Sequence, residues 1–264
     1  MEITIMNFSG VYREETFWRE EDHLWVELGD IPGTNCYCDQ EASEEILRRL
    51  GAASASVIRF LDSGNYHYVS RLLMNKIRQP FRLLVFDNHT DMQLPAFGGL
   101  LSCGGWIESA FMELEDLQEV YLVGPSEEDF SSVRENLQSR VRFWGRQALA
   151  RQRGEGVFSF LEDFPSDLPL YLSIDKDVLC EACASTSWSQ GDMSLWELLA
   201  HLEVVLSALK EKGGRVLAVD ICGEGSCGNA LENARNDGAN KALLTFFKKY
   251  LDDRQRRETK VDEE

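Results

Sequence analysis

A chain of 264 residues with 44% apolar and 10% aromatic side chains has enough hydrocarbon to offset ordering entropy, which excludes a disordered protein and suits one large α/β domain. Its 27 basic and 45 acidic residues leave a net charge of −18, a field that repels phosphate backbones and anionic lipid, so neither nucleic acid nor a membrane is expected as a partner. No basic leader and apolar run opens the chain, no window approaches the ~20 apolar residues of a membrane span, and seven cysteines cannot all pair, so a cytoplasmic protein with reduced thiols is expected.

The first strand is predicted at 2–8 (EITIMNF) and the first helix at 40–50 (QEASEEILRRL). A second strand at 56–62 (SVIRFLD) runs into a Gly-bearing turn that presents His67 near the start of a helix at 67–79. The strand at 82–87 (RLLVFD) then delivers Asp87, His89 and Asp91, spaced by two. In extended chain, side chains at i, i+2 and i+4 share a side, so this stretch aims two carboxylates and an imidazole past a buried strand end. Open parallel sheets bind their ligands there, and such donors suit Mn²⁺, with Ni²⁺ or Zn²⁺ as alternatives. A polar turn is the plainer reading of the same residues.

Further on come a helix at 107–117, a strand at 119–124, a helix at 127–138 and a strand at 168–175 (LPLYLSID). This strand again ends in carboxylates spaced by two, Asp175 and Asp177. Four carboxylates at neighbouring strand tips would repel each other unless cations neutralised them. Two divalent ions roughly 3.5–4 Å apart would do so and leave an activated bridging water. A helix at 194–212 opens on Ser194 with Glu197 three residues on, a capping box, and Gly213-Gly214 stops it. A strand at 215–221, a helix at 239–251 and a charged tail at about 252–264 complete the chain. Continuous apolar strands alternating with helices imply a three-layer αβα sandwich with a mainly parallel central sheet, in one domain over 1–264.

Three stretches in order, Gly64-Asn65-Tyr66-His67, Asp87-Asn88-His89-Thr90-Asp91 and Ser173-Ile174-Asp175-Lys176-Asp177, resemble the metal motifs of the arginase/agmatinase/formiminoglutamase (ureohydrolase) superfamily. The first is looser, with Asn65-Tyr66 where the family usually has Gly-Asp. The resemblance implies an arginase-like fold in which His67, Asp87, Asp91 and Asp175 hold one Mn²⁺. Asp87, His89, Asp175 and Asp177 would hold the other. It further implies a hydroxide attacking a small guanidine or amidine substrate, Asp177 steadying the tetrahedral intermediate, and a homo-oligomer.

The chain departs from the family in two places. Ser102-Cys103-Gly104 stands where a relay histidine is expected, which makes Cys103 either an acid/base or a small loop residue. Glu224 lies one residue late for the family's guanidinium-binding glutamate, so it is either a cation binder or a solvated loop residue. Cys36, Cys38, Cys180 and Cys183 raise a structural zinc site as a further reading, and Trp106 and Trp188 are candidates to roof the cleft. Two other functions compete: a mononuclear zinc amide hydrolase, and a non-catalytic descendant that keeps metal or binds a small molecule.

Overall fold

The structure, a computed structural model, describes residues 2–94, 98–155, 164, 165 and 167–261. Among the described residues there are ten strands: β1 Ile3–Asn7, β2 His23–Glu27, β3 Tyr37–Cys38, β4 Ile58–Phe60, β5 Phe81–Phe86, β6 Leu101–Ser102, β7 Leu117–Val123, β8 Val141–Trp144, β9 Leu170–Asp175 and β10 Val216–Cys222. Eight form one sheet in the order β2-β1-β4-β10-β9-β5-β7-β8, and every pairing in it is parallel. β3 and β6 make a separate antiparallel ribbon, with Tyr37 opposite Ser102 and Cys38 opposite Leu101.

Strand parity divides the core. On β5, Phe81, Leu83 and Val85 face one side while Leu84 and Phe86 face the other, and the inner strands are buried on both sides. That is why they read as unbroken apolar runs. Helices α1 Gln40–Leu50, α2 Val69–Met74 and α3 Trp106–Glu113 cover the first face, joined by Leu137 of a short helix further on. Here α4 is Glu127–Ser131 and α5 Glu135–Gln138, so the expected helix at 127–138 is two short ones. The second face carries Leu149 of α6 Arg146–Glu155, α7 Leu195–Glu211 and α8 Ala230–Val261. Each fully buried Leu, Ile or Phe contributes roughly 1.5–3 kcal/mol.

Local signals set the helix starts. Asp39 caps α1 by accepting from the Ala42 amide at 2.8 Å. Ser194 and Glu197 form the expected capping box at α7. The last helix begins at Ala230, earlier than expected, and its backbone continues past 251 to Val261; residues 262–264 of the expected tail lie outside those described. Among the described residues no helix is long and apolar enough to cross a membrane.

Beneath the carboxyl ends of the central strands, the first face holds a buried polar knot. Arg59 of β4 donates to Asp220 of β10 at 2.6 Å and to Tyr171 of β9 at 2.7 Å, and Ser70 of α2 donates to Asp220 at 2.6 Å. Four elements are thereby fixed in register below the site, and each charge has its counter-charge, as burial requires.

Candidate metal centre

Parity also builds the site. Asp87 continues the face of Leu83 and Val85, Asp175 that of Tyr171 and Ser173, and Cys222 that of Ala218 and Asp220. All three therefore reach the same side of the sheet at its carboxyl edge. His67 arrives from above, following the 3₁₀ turn Gly64–Tyr66 at the entry to α2.

The structure brings the six expected ligand residues together. His67 Nδ1 lies 3.1 Å from Asp91 Oδ2, 3.3 Å from Asp87 Oδ2 and 3.6 Å from Asp175 Oδ2. His89 Nδ1 lies 2.8 Å from Asp177 Oδ2 and 3.6 Å from Asp87 Oδ1. Asp87 thus turns one oxygen to each imidazole. Among the described residues, three groups have donor atoms within 4.8 Å of one another: His67–Asp87–Asp91, Asp87–His89–Asp177 and His67–Asp175–Cys222.

The convergence does not come from an extended strand, as the spacing suggested. β5 stops at Phe86; Asp91 has φ of 49°, and the His89 amide donates back to Asp87 Oδ1 at 2.6 Å. Alternation along β5 places Asp87, and a folded loop, not continued extended chain, presents His89 and Asp91. Outer partners aim each donor. His67 Nε2 meets Ser173 Oγ at 2.7 Å, Trp106 Nε1 donates to Asp91 Oδ2 at 2.5 Å, and the Asp177 and Asn88 amides donate to Asp175 and Asp177, both at 2.9 Å.

The donor set fits divalent cations. His67 Nδ1 and Asp87 Oδ2 are fully buried and have no hydrogen-bond partner, a costly state for polar atoms unless something bridges them. Burial, with neighbouring carboxylates adding to it, raises Asp175 and Asp177 above the ordinary carboxyl range. Burial alone would lower His89, but Asp177 and Asp87 carry it up to about 12. Protons thus gather where a cation would sit.

Next to these residues is a cavity of about 120 Å³, lined also by Cys36, Tyr37, Gln93, Ser102, Cys103 and Trp188. Trp188 lines the cavity and is partly exposed. Trp106 instead lies buried beneath, holding Asp91. Cys103 lines the wall, and burial pushes its thiol up, so it is protonated at neutral pH. Asn65 accepts from Trp188 Nε1 at 2.7 Å and Tyr66 stacks on Phe8, which accounts for the looser first motif.

Glu224 requires a correction. It is fully buried, pairs with Lys176 Nζ, accepts from Asn240 Nδ2 at 2.8 Å, and does not line the cavity. Nor does Gly223 free it to swing inward: with φ of 93°, its α-carbon packs so close to Asp175 that a β-carbon would lie 2.3 Å from Oδ1. The four-cysteine zinc reading also fails among the described residues, since none of Cys36, Cys38, Cys180 and Cys183 joins a potential metal cluster. The Cys180 and Cys183 sulfurs lie 3.6 Å apart, and the Leu195 amide donates to Cys183 Sγ at 3.4 Å. Sequence reasoning missed Cys222, although its place two residues after Asp220 on one strand was the signal.

An arginase-family model matches residues 12–223, ending just before Glu224. An uncharacterized protein of Thermotoga maritima is 30% identical over 254 residues, covering 94% of this chain and 90% of that protein. Among solved structures, formimidoylglutamase from Bacillus subtilis is similar at 14% identity with a TM-score of 0.64, covering 95% of this chain and 86% of that one. An arginase from Bacillus subtilis matches at 13% with a TM-score of 0.64 (92% and 96% covered). The agmatine ureohydrolase of Thermoplasma volcanium does so at 13% and 0.64 (93% and 87%). These structural likenesses establish the fold, and the sequence match over most of the length establishes descent: the chain is a member of the arginase family.

Proposed function

We propose that this chain is a hydrolase that uses two divalent cations, taken as Mn²⁺ with Ni²⁺ or Zn²⁺ as alternatives, to cleave a linear C–N bond in a small guanidine or amidine compound. The observation that carries the reading is the shared carboxylate, Asp87, set between two imidazole-bearing clusters with buried, unpartnered donor atoms. His67, Asp87, Asp91 and Asp175 would hold one cation, and Asp87, His89 and Asp177 the other, with Asp175 reaching toward both. Bound there, the pair supplies Lewis acidity and an acidified water at neutral pH.

The chain's own groups supply the rest. With the His67 proton on Nε2, Ser173 Oγ accepts a hydrogen bond from it and the Nδ1 lone pair is left for a cation. Asp177, held by the Asn88 amide, is the carboxylate placed to steady positive charge on the amidine carbon and its nitrogens. Cys103 borders the cavity in the position of the family's relay histidine, as the acid/base candidate beside a leaving amine. The wall beyond the metal ligands is uncharged, and the small volume favours a compact substrate. A homo-oligomer in the cytoplasm belongs to the same reading.

The test is metal content by mass spectrometry for the wild type and Asp87→Ala, together with urea, ammonia or formamide release across a guanidine and amidine panel. Two ions per chain, lost in the variant, with turnover supports the proposal. No bound metal, or two ions retained by Asp87→Ala, overturns it. A second reading, a non-catalytic metal-keeping descendant, is favoured by the withdrawal of Glu224 into an internal pair and by a thiol in the relay position. Metal without turnover would select it. One Zn²⁺ per chain would instead select a mononuclear amide hydrolase, against which the convergence of both Asp91 and Asp177 argues.

A further inference from the structure

Cys222 ends β10 directly opposite Asp175 on β9, and only 1% of it is exposed. A buried free cysteine ordinarily behaves as a small hydrophobe. This one does not sit among hydrocarbon alone. Its Sγ is 3.2 Å from Asp175 Oδ2, the same oxygen that lies 3.6 Å from His67 Nδ1. A nitrogen of His67, an oxygen of Asp175 and the sulfur all lie within 4.8 Å of one another, and all three residues are buried. His67 Nδ1, moreover, has no hydrogen-bond partner.

We infer that Cys222 is a metal ligand: its sulfur completes a nitrogen, oxygen and sulfur donor set for the cation on the His67 side. The inference rests on the metal reading above and adds to it the kind of ion preferred. Carboxylates and imidazole alone tolerate Mn²⁺, whereas a thiolate favours the softer Zn²⁺, Co²⁺ or Fe²⁺. Ligation replaces the S–H bond by a metal–sulfur bond, and the proton leaves to solvent. The two cation positions are thereby unequal, with a softer ion at His67 and a harder one at His89.

The experiment loads metal-free full-length protein with Co²⁺ and records its absorption. The wild type should show a near-ultraviolet sulfur-to-cobalt charge-transfer band. Cys222→Ser should lose the band while keeping the visible cobalt transitions, and Cys103→Ser should keep it. In competition, Cys222→Ser should lower Zn²⁺ affinity on the order of tenfold or more and leave Mn²⁺ affinity nearly unchanged. Loss of an outer partner would instead weaken both ions together, by roughly 10–100-fold. Co²⁺ bound without the band in the wild type overturns the inference and leaves the metal centre standing, and this outcome needs no folded variant. Equal losses for both ions overturn it likewise. Failure to bind Co²⁺, Zn²⁺ or Mn²⁺ at all overturns the metal reading itself.

Discussion

Gly223 shows how little room surrounds the ligands. Its φ of 93° lies in the left-handed region, and an added β-carbon would meet Asp175 Oδ1 at 2.3 Å and the Lys176 amide nitrogen at 2.6 Å. The backbone strain of a side chain there costs about 1–2 kcal/mol, and the contact must displace Asp175. Gly223→Ala should therefore lose metal on the His67 side and be less stable by at least that amount, as read by metal analysis and urea unfolding. The residues that converge at the site were legible in the sequence because their carboxylates and imidazoles follow apolar strands in closely spaced sets. Glu224 was not, because alternation would keep it on the face of Asp220 and Cys222, whereas β10 ends at Cys222 and Gly223, with φ of 93°, turns the chain so that Glu224 meets Lys176.

At the level of elements, six strands were readable because burial on both faces leaves them uniformly apolar. β2 and β8 were not, since they are the sheet edges, only partly covered, and HLWVE and VRFW carry mixed residues. α8 was placed too short for a related reason. Its first half lacks an apolar stripe and is held instead by buried asparagines: Asn236 exchanges bonds with Ser185, and Asn240 joins Lys176, Glu224 and Glu15. That junction has two carboxylates for one ammonium. Burial, with the Glu224 charge adding to it, raises Glu15 to about 9, so the folded chain keeps its proton. The unfolded chain loses that proton from about 4.5 upward. The stability this group contributes is complete below pH 4.5 and is lost as pH climbs toward 9. Glu15→Gln, which mimics the protonated group, should leave stability unchanged near pH 4 and raise it by at least about 1 kcal/mol near pH 9, measured by thermal unfolding at the two pH values.

Across the whole molecule, an eight-stranded parallel sheet directs its carboxyl edge to a single rim, and the clustered Asp residues concentrate there part of the −18 charge. Cations that bind only the folded form pull the equilibrium toward it. At a free concentration 100 times Kd this is worth about 2.7 kcal/mol for each ion, several degrees in Tm for a chain of this size. Adding Zn²⁺ or Mn²⁺ to chelator-treated protein should raise Tm accordingly, and Asp87→Ala should abolish the increase. A calorimetric scan with and without metal decides this.

The ribbon of β3 and β6 gives the cavity wall an unusual dependence. Tyr37 and Ser102 of the two strands, with Cys36 and Cys103 beside them, line it from segments far apart in the chain yet hydrogen-bonded across, the Cys103 amide donating to the Cys36 carbonyl at 2.9 Å. The two borders behave as a zipper, so enlarging one without adjusting its opposite member would unseat both. Whatever molecule this pocket accepts, retuning its appetite, by descent or by design, has to rewrite the two segments in concert.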